Sequence, residues 1–92
     1  MARLHLIVRG RVQGVGFRAT VYDCAIDHGL KGWVRNNADG SVECVAEGSG
    51  EALAALQRLF RAGPPGARVA SLDVLTEPES GEFRGFHVHP TR

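Results

Sequence analysis

The order in which strand-like and helix-like segments alternate is the feature that most constrains the fold. Leu4, Leu6 and Val8 alternate with neighbours of the other face, which is typical of a strand with one buried side. Further strand-like segments lie at 30–35, 42–47, 69–75 and 83–88. Helical spacing predicts one helix over about 17–28 and a second after Ser49. This βαββαβ order with a short terminal strand predicts an α+β split βαβ sandwich, with both helices on one face of a mainly antiparallel sheet.

Local signals predict where these elements begin and end. Gly29 stands where a helix ends in a left-handed residue, and Asp39-Gly40 is typical of a hairpin turn with positive φ values. Ser49 is suited to cap the second helix, with Glu51 in its first turn. That helix carries the apolar stripe Leu53, Leu56, Leu59 and Phe60. We expect the core to include Leu53, Leu56 and Phe60 of this stripe, together with Trp33, Phe86 and Val88.

Size and composition narrow the possible functions. The 92 residues are enough for a single domain, residues 1–92, and the net charge of +1 argues against broad binding to nucleic acid or an anionic membrane. No apolar run approaches the roughly 20 residues that a membrane span needs. Cys24 and Cys44 form no Cys-x-x-Cys pair, so we expect free thiols rather than a disulfide, in a cytoplasmic protein. No surplus apolar stripe is evident, which favours a monomer.

The segment 10–18 (GRVQGVGFR) carries the strongest chemical signal. A strand leads into a glycine-rich loop that opens a helix, and such a loop can direct backbone N–H groups and the positive end of the helix dipole at an anion. Gly14 and Gly16 allow an oxyanion to approach the backbone, and Arg18 adds a planar set of donors. The alternative is a tight turn beside a surface arginine, and this coincidence of features favours the anion site.

Other kinds of phosphate site fit less well. The loop lacks the lysine of a Walker motif. Residues 14–19 match a G-x-G-x-x-A dinucleotide motif, but the following strand ends without the carboxylate that should bind the ribose. Neither cysteine is followed by an arginine six residues later, so a phosphate-bound cysteine nucleophile is not indicated.

Three segments together resemble the acylphosphatase family: 10–18, 29–36 (GLKGWVRN) and 39–42 (DGSV). The resemblance extends over the whole chain and implies a ferredoxin-like fold. It also implies hydrolysis of the carboxyl–phosphate bond of acyl phosphates, small-molecule substrates, without a metal or cofactor. By the family pattern, Arg18 binds the phosphoryl group and Asn36 positions the attacking water. The loop amides that would share phosphate binding are those of Gln13, Gly14, Val15, Gly16, Phe17 and Arg18.

The chemistry of these residue types agrees with that reaction. A carboxylate leaves readily without a general acid, so positioning and electrostatic stabilisation of the phosphoryl oxygens suffice. A neutral amide such as that of Asn36 can orient water without a shifted pKa. Two alternatives remain: a domain of a hydrogenase-maturation carbamoyltransferase, in which similar domains occur, and a phosphate- or RNA-binding module without catalysis.

The remaining polar side chains carry weaker functional signals. Asp23 and Asp27 are acidic where many relatives are basic, and we expect both to face away from the site. The sequence leaves open whether the amide of Asn37 assists the water or competes for it. His87 and His89 share a strand face, and without a third ligand we expect them to face solvent.

Overall fold

A computed structural model describes residues 2–92 and has the predicted element order. Its elements are β1 (Ala2–Arg11), α1 (Phe17–Asp27), β2 (Lys31–Asn36), β3 (Val42–Gly48), α2 (Gly50–Ala62), β4 (Arg68–Glu77) and β5 (Phe86–Val88). The strand order is β4-β1-β3-β2-β5, and every neighbouring pair is antiparallel except β2 and β5. The prediction of an α+β ferredoxin-like fold with a mainly antiparallel sheet is therefore confirmed.

The core lies between the sheet and the two helices. Leu6, Val8 and Val34 point into it from the strands and are fully buried. Phe17 of α1 and Phe60 of α2 meet in an edge-to-face contact, with ring centroids 5.3 Å apart. Burial of each ring contributes about 1.5–3 kcal/mol to the stability of the fold, so this contact stabilises the packing of α1 against α2.

The helix ends follow the predicted capping chemistry in most places. The Ser49 hydroxyl accepts a hydrogen bond from the Ala52 amide at 3.2 Å, as expected of a helix cap. Gly29, just after α1, and Gly63, at the end of α2, have φ values of +68° and +70°. Glycine adopts this left-handed conformation without the Cβ clash that other residues would suffer.

The turn between β2 and β3 differs from the sequence-based prediction in one respect. Gly40 has a φ of +94°, but Asp39 does not share the positive φ that the Asp-Gly pair suggested. The Asp39 carboxylate instead accepts hydrogen bonds from the hydroxyl and the amide of Ser41, at 2.6 and 2.9 Å. These bonds lower the pKa of the Asp39 carboxyl, and they stabilise the turn without a left-handed aspartate.

The prediction that Trp33 and Val88 belong to the core is wrong. Trp33 lies on the sheet face opposite the helices, half-buried, where it stacks on His89 with ring centroids 5.4 Å apart. The Arg35 guanidinium covers the indole at 4.5 Å. Val88 is 45% exposed at the end of β5, which starts at Phe86 and is shorter than predicted. Phe60 and Phe86 are buried as predicted.

Both cysteines are free thiols, as predicted. Cys44 is fully buried in β3 and Cys24 is half-buried in α1, and burial raises the pKa of both groups. Within residues 2–92, neither helix has the length and apolar character needed to cross a membrane.

Candidate active site

An open pocket gathers residues from the β1–α1 loop, the start of α1 and the ends of β2 and β5. Its volume is about 340 Å³, and it is lined by Gly14, Gly16, Phe17, Arg18, Ala19, Asn36 and Val88. The pocket therefore brings together residues that are up to 74 positions apart in the sequence, because β2 and β5 are paired beside the N-terminal end of α1.

The loop that forms one wall of the pocket depends on two left-handed glycines. Gly14 and Gly16 have φ values of +75° and +78°, and a Cβ added at either would meet nothing within 4 Å. These two positions therefore require glycine for its backbone conformation, and not because a larger side chain would lack space. Gly16 is also the N-cap residue that precedes α1, and the helix start has no side-chain cap.

The backbone amides of this loop are available to a ligand. In the part of the chain that the structure describes, the N–H groups of residues 13–19 donate to no backbone or side-chain acceptor. The positive end of the α1 dipole adds to the potential at the same place. We use the term anion cradle for the backbone amides of residues 13–18 together with the guanidinium of Arg18.

Arg18 and Asn36 are the two polar side chains of the pocket. Each is half-buried, and within residues 2–92 neither side chain forms a hydrogen bond or an ion pair. A half-buried guanidinium without a partner is suited to bind an incoming anion. The backbone of Asn36 is held in place because its carbonyl accepts from the Arg92 amide at 3.1 Å.

Gln13 and Val15 belong to the same loop but do not line the pocket. Val15 is half-buried and packs against the core. The side-chain amide of Gln13 is directed at the β2–β3 turn, where Nε2 donates to the carbonyl oxygens of Asn37 and Ser41 at 2.8 and 2.9 Å. Sequence analysis did not anticipate this contact, since no local pattern links residues 24 and 28 positions apart.

The amide of Asn37 is occupied by the turn and does not reach the pocket. Its Nδ2 donates to Ser41 Oγ at 3.0 Å and to Glu43 Oε1 at 3.1 Å. Its Oδ1 accepts from Arg35 Nε at 3.1 Å. The question that the sequence left open therefore has an answer: Asn37 stabilises the turn that follows Asn36.

Glu43 is the centre of this polar network. Burial disfavours its charge, but hydrogen bonds from His5, Asn37 and Arg35 hold the pKa of the Glu43 carboxyl below its ordinary value. An ionised Glu43 is therefore hydrogen-bonded to Arg35 and Asn37, the two residues on either side of the pocket residue Asn36.

The remaining wall of the pocket is apolar. Val88 and Ala19 both line the pocket, and both are exposed. Sequence analysis missed Val88 as a pocket residue because it assigned Val88, like Phe86, to the core. The pocket thus combines free polar donors on one part of its lining with apolar side chains on the other, a combination that suits a substrate joining a phosphoryl group to a carbon skeleton.

The other candidate side chains lie outside the pocket. Asp23 and Asp27 are exposed on α1, as expected, and neither lines it. His87 and His89 are exposed, in agreement with the sequence analysis. Across residues 2–92 there is no group of three or more His, Cys, Asp or Glu side chains placed to hold a metal ion.

Comparisons with known proteins agree with one another. The acylphosphatase family model matches residues 4–88. An acylphosphatase from Cupriavidus pinatubonensis is 50% identical over 91 residues, which cover 99% of each chain. The crystal structure of acylphosphatase from Bacillus subtilis has a TM-score of 0.91 at 37% identity and covers 97% of this chain and 99% of that one. The crystal structure of HypF from T. kodakarensis has a TM-score of 0.79 at 38% identity, over 97% of this chain but 12% of that one.

Proposed function

Since this chain belongs to the acylphosphatase family and is accordingly an acylphosphatase, we propose which of its residues perform the hydrolysis of an acyl phosphate. The anion cradle holds the phosphoryl group, Asn36 positions the attacking water, and no metal ion takes part. One observation carries this proposal: Arg18 and Asn36, whose side chains form no hydrogen bond or ion pair within residues 2–92, line the same pocket from different elements.

The anion cradle stabilises the charge that builds up on the phosphoryl oxygens. The transition state of phosphoryl transfer spreads negative charge over the equatorial oxygens, and fixed N–H donors stabilise it without reorganisation. The amides of residues 13–18 supply neutral donors, while the Arg18 guanidinium adds two charged donors in a plane.

The chemical step needs a water molecule on the side of phosphorus opposite the leaving carboxylate. The water oxygen forms the new bond to phosphorus, and the bond between phosphorus and the acyl oxygen breaks. The carboxylate departs with the bonding electron pair, and the water proton passes to a phosphate oxygen. Asn36 Oδ1 accepts a hydrogen bond from this water, which fixes its direction of attack without a change in protonation of the protein.

The test is release of inorganic phosphate from benzoyl phosphate in the presence of EDTA. We expect fast turnover by the wild-type protein and a loss of about 100-fold or more in kcat for Asn36→Ala. Gln57→Ala is the matched control, because it removes another half-buried amide that lies outside the pocket, on α2.

Each outcome has a distinct meaning. Wild-type turnover that requires an added metal ion would contradict the metal-free reaction. Undiminished turnover by Asn36→Ala would remove Asn36 from the mechanism. Phosphate binding without turnover by the folded wild-type protein would favour the alternative, a phosphate-binding module.

We also infer that the enzyme acts as a monomer in the cytoplasm. The apolar stripe Leu53, Leu56 and Phe60 of α2 is buried in the core rather than open to a partner, and two free thiols are typical of a reducing compartment. Size-exclusion chromatography with light scattering at working concentration should give the 9.9 kDa mass of one chain, and a dimer mass would refute the monomer.

A further inference from the structure

We propose that Gln13 is a positioning residue, whose side chain keeps the anion cradle at the correct distance from Asn36. The inference deepens the proposed function and rests on it. It concerns the side-chain amide of Gln13, which contacts the β2–β3 turn and does not line the pocket.

The site has two halves: the loop of residues 13–18 and the end of β2. Within residues 2–92, no backbone hydrogen bond joins them directly. The anion cradle follows β1, whereas Asn36 ends β2, and the strand order places β3 between these two strands. Hydrogen bonds of the sheet therefore join β1 to β2 only through a third strand. Reactions of this kind need the phosphoryl group and the water to be placed within a fraction of an ångström, and a displacement of about 1 Å can cost 100-fold in rate.

The Gln13 side chain spans this gap directly. Both N–H groups of its amide are used, one on the Asn37 carbonyl at 2.8 Å and one on the Ser41 carbonyl at 2.9 Å. These carbonyls lie at the two ends of the turn between β2 and β3, and Asn37 follows Asn36 immediately. A shift of the loop relative to Asn36 would break both hydrogen bonds.

The turn that receives these bonds is itself firmly held. The backbone N–H of Asn37 donates to the Ser41 carbonyl at 2.9 Å, and the side-chain amide of Asn37 donates to Glu43. The Ala38 amide donates to the Arg92 carbonyl at 2.7 Å. Gln13 thus connects the loop to a turn of fixed shape, so its two hydrogen bonds fix the position of the loop relative to that turn.

The internal shape of the anion cradle does not depend on the Gln13 side chain. It is set by the left-handed Gly14 and Gly16 and by the first turn of α1, which Phe17 anchors against Phe60. Loss of the side chain should therefore leave phosphate binding intact and impair the placement of water. A residue that merely supported the fold would affect both properties together.

The experiment is a double-mutant cycle between Gln13 and Asn36, with benzoyl phosphate as substrate. It measures kcat, inhibition by inorganic phosphate, and urea unfolding for Gln13→Ala, Asn36→Ala and the double variant. Gln13→Met is a second variant, because it keeps the length and apolar stem of the side chain while removing both donors. Gln57→Ala again serves as the control for loss of an amide elsewhere.

We expect Gln13→Ala and Gln13→Met to lower kcat by about 10- to 100-fold while the inhibition constant of phosphate changes less than about threefold. In the Asn36→Ala background the same substitutions should lower kcat by less than about threefold, since there is no positioned water left to misplace. The two non-additive effects would identify Gln13 as acting through Asn36.

Two results would overturn the inference. One is an equal loss of kcat in both backgrounds, which would show that Gln13 acts independently of Asn36. The other is a loss of phosphate affinity in proportion to kcat, which would place the effect in the cradle. Undiminished kcat for Asn36→Ala alone would refute the proposed role of Asn36 itself, and it would be recognised separately from any effect of Gln13.

Discussion

Arg18→Ala should separate catalysis from stability almost completely. The guanidinium lines the pocket, and in residues 2–92 it pairs with no acceptor, so its removal breaks no intramolecular contact. Position 18 is the second residue of α1, where alanine is a strong helix former. We therefore expect the free energy of unfolding to change by less than about 0.5 kcal/mol. The transition state, in contrast, loses two charged donors, and kcat/KM should fall at least about 100-fold, or about 2.7 kcal/mol.

The assay compares initial rates of phosphate release with urea unfolding followed by the fluorescence of Trp33, the single tryptophan. Arg18→Lys keeps the charge but not the planar pair of donors, so its rate should lie between those of wild type and Arg18→Ala. Arg58→Ala, on the exposed surface of α2, is the control and should behave as wild type. Near-normal turnover by Arg18→Ala would refute the reasoning, and so would a loss of stability as large as the loss of catalysis.

Two further predictions concern acid stability and the acyl group. Hydrogen bonds hold the folded-state pKa of Glu43 below the unfolded value of about 4.3. The contribution of the Glu43 carboxylate to the free energy of unfolding is therefore present above that pH and is lost as the pH falls through the folded-state pKa. Glu43→Gln should lower the free energy of unfolding by about 1–3 kcal/mol at pH 7 and flatten its decline as the pH falls below about 4.3 in urea titrations, and an unchanged decline would contradict this. Val88→Ala should raise KM for benzoyl phosphate about fivefold, through loss of about 1 kcal/mol of apolar contact, but leave KM for acetyl phosphate nearly unchanged. Equal changes for both substrates would show that Val88 does not contact the acyl group.

The element order could be predicted because local chemistry and the final structure agree. The alternation in β1, the Ser49 cap and the left-handed Gly29 each act over a few residues, and each appears where the sequence indicates. The boundaries of β4 and β5 were harder to predict, because strand pairing with β1 and β2 decides where they begin and end. Such pairing depends on residues far away in the chain.

Trp33 shows how an available signal can be overridden by a general preference. Large aromatic residues are often buried, and this favoured a core position. Its neighbours on the same face of β2, however, are Lys31 and Arg35, whereas the intervening Gly32 and Val34 are buried. The period-two pattern thus assigns Trp33 to the open face, where Arg35 and His89 cover its ring.

Some parts of the site could be predicted from the sequence, and others could not. The loop chemistry of residues 10–18 is local, so the sequence alone predicts an anion site there, and in the structure Arg18 and Asn36 line one pocket. The contact of Gln13 with the β2–β3 turn joins segments that meet only after the sheet has formed. The same holds for Val88, whose exposure at the pocket depends on the parallel pairing of β5 with β2.

The pairing of β5 with β2 also determines which side of the molecule could recruit a foreign strand. Beyond β5, the amides of His89 and Arg92 donate to the carbonyls of Val34 and Asn36, so the hydrogen-bonding side of β2 is occupied up to the pocket. The long unpaired margin of the sheet is instead β4, about 14 Å away across three strand spacings. Edge-to-edge aggregation would begin there, where Arg68 and Asp73 add charge that discourages it. Self-association of this kind would extend the sheet at the β4 edge, at the opposite end of the strand order from β2 and β5, which supply Asn36 and Val88 to the pocket.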